Sequence, residues 1–385
     1  MANGNSPDKK TEKKNRILLS GKLDVSFLSF VMILLTIGLV MLFSASYAYS
    51  YEYYNNSYRF ILKQAALGGV GVIAMLVISK IDYHILRKFS WIVYAITFVM
   101  LVVLLMIPPM VKGMNVKRWM IIGPINFQPS EIAKFAIVLL FSSLIAANYK
   151  QMRDFKFVAI MILILGVTCG LVAAEPHLSA TILIFLIGIV IMVIGGLQMR
   201  YIIGGALLGA GGVAFAIMTN LISYGSDRIK YWFDPWLDAK GKGFQTIQSL
   251  LAIGSGGILG RGIGQSRQKY LWVPEPHNDF IFSIVCEELG LIGAIVIIVL
   301  FALLVWRGFV IAMRAPDRFG SLLAIGLTFQ VGLQAMLNIW VVTNTIPNTG
   351  ISLPFFSYGG TSLLILLAEM GIVLSVSRTS NIEKS

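Results

Sequence analysis

Long apolar stretches broken by short polar punctuation dominate the chain. Runs of membrane-spanning length fall at about 25–46, 60–79, 90–108, 131–148, 157–174, 180–197, 201–220, 280–306, 320–342 and 362–377. Each is close to the roughly 20 residues an α-helix needs to cross a bilayer. Several are separated by only a handful of residues, so neighbouring helices form hairpins. The apolar stretch from Phe157 to Gly196 is about twice a bilayer's length, so Glu175-Pro176-His177 is read as a turn between two helices rather than a kink in one. The pattern predicts an all-α polytopic membrane protein of ten transmembrane helices. It divides into a basic tail over 1–23, a helical body over 24–377 and a short polar end over 378–385.

Composition agrees. Of 385 residues, 57% are apolar and 13% charged, against about 25% charged in soluble domains. That excludes a soluble globular domain and a disordered chain. Two cysteines, Cys169 and Cys286, are too few for a disulfide scaffold, and both lie in apolar runs as buried thiols. His84, His177 and His277 are too far apart for a metal-ligand spacing.

The net charge of +13 raises the question of nucleic acid, which its distribution answers. Basic residues cluster in short segments between apolar runs, the signature of cytoplasmic loops. With both termini inside, 18 of the 31 Lys and Arg fall on the cytoplasmic side, six of them (Lys9, Lys10, Lys13, Lys14, Arg16, Lys22) in the tail. The run that begins at Val25 is too long for the apolar region of a cleaved leader, so it is read as a retained first helix.

Two regions break the pattern. One is a long outer loop over 221–279, carrying more charge than all the spans together. Loops beyond about 12–15 residues are usually functional. Its middle, Phe244 to Leu259, has helix-like apolar spacing interrupted by Gly254, Gly256 and Gly257, which predicts short helices at the outer surface. The other runs from Thr345 to Gly360, where Pro347, Pro354 and three glycines cannot continue a helix. Irregular backbone at membrane depth is tolerated only where protein or a watery cavity surrounds it.

Chemistry gathers at the borders of these regions. In Val273-Pro-Glu275-Pro-His277-Asn-Asp279-Phe-Ile-Phe282, Asp279 is expected in the first turn of a helix, where the dipole favours a carboxylate. From position alone, a plain helix cap is the favoured reading. Glu287 and Glu288 follow at a depth where carboxylates are costly, and they either pair with a cation such as Lys134 or serve a function. Between the third and fourth spans, Ser130 is expected to cap a helix, and Glu131 and Lys134 are neighbours at i, i+3. Lys117-Arg118-Trp119 place a basic pair on the side poor in positive charge, which points to an anionic ligand. The segment from Gly260 to Arg267 has the composition of a phosphate-cradling loop, but no strand precedes it, so it is no dinucleotide fingerprint.

Four blocks carry a family resemblance: Arg118-Trp119 with Phe127 to Lys134; Gly241 to Gln268; Pro274 to Gly290; and Pro347 to Gly360. In these the chain resembles the SEDS family, the polytopic glycosyltransferases of bacterial shape, elongation, division and sporulation (FtsW, RodA and SpoVE type). Asp234-Pro235-Trp236 and Gln265 to Lys269 resemble the division and sporulation branch most. Asn278 stands where many members carry Thr, Asn126 where some carry Arg, and His177 where Asp often follows the proline.

The resemblance implies polymerisation of lipid II on the extracellular face of the bacterial cytoplasmic membrane. The donor is a strand on undecaprenyl diphosphate and the acceptor a new lipid II. It implies a class B penicillin-binding protein as transpeptidase partner, other division or sporulation membrane proteins and membrane lipid as neighbours, and no nucleic acid. A diphosphate leaves as a weak base, so the reaction needs charge neutralisation and one general base rather than the paired carboxylates of a glycosidase. Asp279 is the implied base. Lys117, Arg118, Arg261, Arg267 and Lys269 are the implied cations, with a divalent ion (Mg or Mn) sharing their task. Trp119, Gln128, Glu131, Lys134, Gln265, Glu275, His277 and Ser357 complete the implied substrate contacts. A lipid II flippase would use the same lipid but needs no outer-loop base, and a pure scaffold would tolerate change at Asp279.

Overall fold

The computed structural model describes residues 19, 21–107, 118–122, 125–201, 203–205 and 230–382. Nearly all of the seventh expected span, most of the basic tail, Lys117 and the start of the long loop lie outside the described residues.

Among the described residues the chain is mostly helical. Helices α1 (Val25–Tyr54), α2 (Arg59–Ile78), α3 (His84–Met106), α4 (Pro129–Ala147) and α5 (Phe155–Ala174) come first, then α6 (Leu178–Ile194). A shorter helix, α7 (Phe244–Gly256), precedes α8 (Ile281–Met313), α9 (Arg318–Val342) and α10 (Thr361–Ile382). Eight of these are long and apolar enough to cross a membrane, and α6, at 17 residues, is a shorter apolar helix. Nine of the ten expected spans therefore have a helix, and the Glu175-Pro176-His177 segment is a turn between α5 and α6.

Local chemistry explains the helix starts. Asp24, Asp154 and Asp317 accept hydrogen bonds from backbone N–H groups in the first turns of α1, α5 and α9, satisfying donors a helix start leaves orphaned. At α4 the cap position is Gln128 and Pro129 enters at the first turn, where its missing N–H costs nothing. Ser130, expected as the cap, lies inside the helix.

The two ends of the helical body meet. Arg307 near the end of α8 pairs with Asp24 at 2.9 Å, and Arg378 on α10 donates to the carbonyl of Gly21 at 2.7 Å. Helices α4 and α9 are among the most enclosed. They carry the buried polar side chains Lys134, Gln330, Gln334 and Asn338. Away from the termini, β1 (Met120–Ile122) and β2 (Ile125–Phe127) form a small antiparallel hairpin, an addition to the all-α expectation.

Helix α8 is broken at Gly290 (φ 67°). Carbonyls of Glu287 and Glu288 that would have met the N–H groups of Leu291 and Ile292 instead accept from Arg261 and Gly262, each at 3.0 Å. The released N–H groups of Leu291 and Ile292 donate to Gly257 and Ile258. A loop segment is thus threaded into the break and satisfies all four groups. Only glycine fits there: a Cβ on Gly290 would stand 2.2 Å from the nitrogen of Gly260.

The irregular stretch before α10 is tied in the same way. Ser357 Oγ accepts from the N–H of Leu353 and donates to the carbonyl of Asn278, while Gln64 on α2 bonds the backbone of Ser357, Gly359 and Gly360.

Candidate active site

At the end of the bundle away from the termini lies a cavity of about 720 Å³. Helix α2 lends it Lys63; the hairpin lends Arg118, Trp119 and Asn126; the start of α4 lends Gln128 and Glu131. Glu275, Asn278 and Asp279 form another wall, and Gln334, His177 and the segment around Gly350 and Tyr358 close it.

Asp279 stands two residues before α8, whose cap position is Phe280 and which has no side-chain cap. The expected place in the first turn is therefore corrected: the carboxylate caps nothing and faces the cavity. Its backbone is fixed by Asn338, buried on α9, whose amide donates to the carbonyls of Asp279 at 2.7 Å and Ile351 at 2.6 Å. Opposite its carboxylate is Gly350 (φ 73°), where a Cβ would approach Oδ2 to 3.2 Å. Burial above all, and then the charge of Glu275, raise the Asp279 carboxyl to about 6, with Arg118 opposing the rise. It is a stronger base than an ordinary aspartate yet ionised at neutral pH.

Arg118 donates to the carbonyl of Pro176 at 2.7 Å, which fixes the hairpin against the α5–α6 turn. Glu275 is exposed and accepts from the side chain of Asn278 at 2.8 Å.

Beneath the cavity, Lys134 is almost fully buried. It pairs with Glu131 at 3.0 Å and donates to Gln334 Oε1 at 2.9 Å; Gln334 in turn donates to Ser352. Removing one partner of a buried pair costs about 3–5 kcal/mol, less here because Glu131 is partly exposed. Lys134→Ala is therefore expected to lower the melting temperature in detergent as well as activity. A variant that melts like the parent and loses only activity would make Lys134 a ligand of the substrate instead.

The other candidates lie elsewhere. His277 is buried, its ring 4.4 Å from Phe60 and 4.8 Å from Tyr49. Burial pushes it down to about 4, so it is neutral. Ser357 ties two backbone segments together, as described above. Arg261, Gln265, Arg267 and Lys269 do not line the cavity; they belong to the glycine-rich loop, whose apparent phosphate cradle is filled by the protein's own carboxylates. Gly264 and Ser266 donate backbone N–H groups to Glu288, and Arg267 and Gln268 to Glu287. Lys269 Nζ bonds Glu288 at 3.1 Å, Ser44 at 3.1 Å and the carbonyl of Gly264 at 2.6 Å. The cation beside Glu288 is thus Lys269, and beside Glu287 it is Arg261 at 3.7 Å; Lys134 serves neither.

The structure adds Lys63, His177 and Gln334 to the cavity. Gln330, Gln334 and Asn338 were legible as a polar stripe at i, i+4 spacing within an apolar span. Lys63 carries no such signal, because a lysine just inside a helix end reads as an interfacial side chain. Among the described residues no three His, Cys, Asp or Glu side chains gather as a metal site.

Helices of spanning length around a charged cavity at one end of the bundle define an integral membrane protein. Residues 25–382 match the family model described as cell cycle protein (FtsW, RodA, SpoVE), and the chain belongs to that family. It is 38% identical over 360 residues to the stage V sporulation protein E of Bacillus subtilis (strain 168), covering 93% of this chain and 97% of that one. To the probable peptidoglycan glycosyltransferase FtsW of Geobacter sp. (strain M18) it is 37% identical over 358 residues, covering 92% and 96%. Among solved structures, it is similar to a chain from work on structural coordination of polymerization and crosslinking by a peptidoglycan synthase complex. The TM-score is 0.78 at 27% identity, covering 93% of this chain and 98% of that one. The rod shape determining protein RodA of Thermus thermophilus aligns with a TM-score of 0.68 at 25% identity, covering 92% and 97%.

Proposed function

We propose that the protein is a peptidoglycan glycosyltransferase. It polymerises lipid II on the outer face of the cytoplasmic membrane, during division or sporulation, beside a class B penicillin-binding protein. The observation that carries this reading is the pairing, in one cavity, of a carboxylate of raised basicity with the cations Arg118 and Lys63. Relatives named as peptidoglycan glycosyltransferases of nearly the same length support it. Sidedness rests on charge: with the termini inside, the basic loops face the cytoplasm and the cavity faces out.

In this mechanism Asp279 takes the proton of the acceptor hydroxyl as the new glycosidic bond forms. The bond between the donor sugar and its diphosphate breaks, and the electron pair leaves with the diphosphate. Arg118 and Lys63 neutralise that growing charge, so no protonated leaving group is needed. Asp279 and Glu275 are the carboxylates that would hold a hard divalent cation, whose charge would add to that neutralisation.

The test is a gel. Purified protein given fluorescent lipid II, alone and with its transpeptidase partner, should yield a ladder of glycan strands. No polymer under either condition would overturn the reading and leave a flippase or scaffold.

A further inference from the structure

The turn between α5 and α6 holds a carboxylate that the proposed chemistry leaves unused. Glu175 closes α5, is fully buried, and neither of its oxygens meets a hydrogen-bond donor among the described residues. A carboxylate stripped of water and donors persists only with a cation close by or with its proton retained. The cation is Arg118. Its guanidinium donates to the carbonyl of Pro176, the residue next to Glu175, and it also lines the cavity that holds Asp279. The charge of one cation therefore acts on both the buried acid of the turn and the carboxylate in the cavity.

We propose that Glu175 is a positioning residue for Arg118: protonated, it leaves the guanidinium charge to a diphosphate in the cavity, and ionised, it draws Arg118 back against the α5–α6 turn and weakens diphosphate binding. The inference rests on the polymerase reading for the identity of the ligand.

The surroundings support a switch governed by this one group. Burial above all raises Glu175 to about 8, with Arg118 opposing the rise. Its neighbour His177 sits 3.3 Å from Ser130 Oγ and 3.4 Å from Gln128 Nε2. Burial first, then Arg118 and Lys134, push that imidazole down to about 3, so it stays neutral throughout. Asp279 and Glu275 lie across the cavity, and Asp279, at about 6, is already ionised above neutrality. Of the described groups on which the charge of Arg118 acts (Glu175, His177 and Asp279), Glu175 is the one that titrates between pH 7 and about 9.

The experiment measures the affinity of the purified full chain for undecaprenyl diphosphate at pH 7 and about pH 9. In the parent only about a tenth of the molecules keep the proton at the higher pH, so Kd should rise about tenfold. Glu175→Gln, which is isosteric and cannot ionise, should bind at about pH 9 as it does at pH 7. Glu175→Met serves if the amide fails to fold, with the same flat profile expected. Arg118→Ala should bind weakly at both values without the tenfold step. A tenfold step that persists in Glu175→Gln and Glu175→Met, or a parent with no step, overturns the inference. Lipid II polymerisation is run on the same samples: binding with the expected pH step but no polymer sinks the polymerase reading alone, and polymer without the step sinks the Glu175 assignment alone.

Discussion

Asp279→Asn should cut lipid II polymerisation by about 10²–10⁴-fold, the range a general base supplies. Membrane insertion, melting temperature and partner binding should stay at parental levels. The amide keeps the size and polarity of the side chain, and no helix cap is lost because Asp279 stands outside α8. What disappears is the basicity that burial and Glu275 confer. The same carboxyl sets the acid side of the pH profile. A base is active only when ionised, so the parental rate should fall as pH drops through about 6. Glu275→Gln removes a charge that raises the carboxyl, so this limb should move to lower pH. Arg118→Ala removes a charge that lowers it, so the limb should move up. Near-parental polymerisation by Asp279→Asn, or limbs that shift in the opposite directions, would transfer the role of base to Glu275.

The parts that failed to show in the sequence share one cause. Spans are legible because lipid demands about 20 apolar residues in a row, and nine of them stand as helices near the expected positions. Asp279, Arg118, Trp119, Gln128, Glu131 and Glu275 were legible as chemistry in the wrong place for a plain loop, and all six line one cavity. Partner choice was not legible. Glu287 and Glu288 read as costly carboxylates in need of a cation, but their donors come from a loop some twenty residues away, held against a break at Gly290 where four released backbone groups bond to it. The glycine loop misleads for the same reason. A row of exposed N–H groups suits any anion, and local sequence does not say whether that anion is a phosphate or a glutamate from the next helix.

That filled cradle leads to an asymmetric expectation about stability. Glu288 accepts from Ser44, from Lys269 and from the backbone N–H groups of Gly264 and Ser266. Its side chain is 0% exposed and that of Lys269 is 4% exposed. Glu288→Ala therefore strands an ammonium and three donors in a dry site, and should destabilise by about 3–5 kcal/mol. Lys269→Met removes the cation but leaves Glu288 with Ser44 and two N–H groups, so it should cost clearly less. The double variant Glu288→Ala/Lys269→Met should recover part of the single-variant loss, because the stranded charge is gone. The loop runs on through buried Val273 to Glu275 and Asp279. Loosening it displaces the base, so kcat should fall in step with melting temperature while KM for lipid II holds. If instead Lys269→Met melts like the parent and raises KM several-fold, Lys269 is a diphosphate ligand, and its bond to Glu288 is an arrangement that substrate displaces.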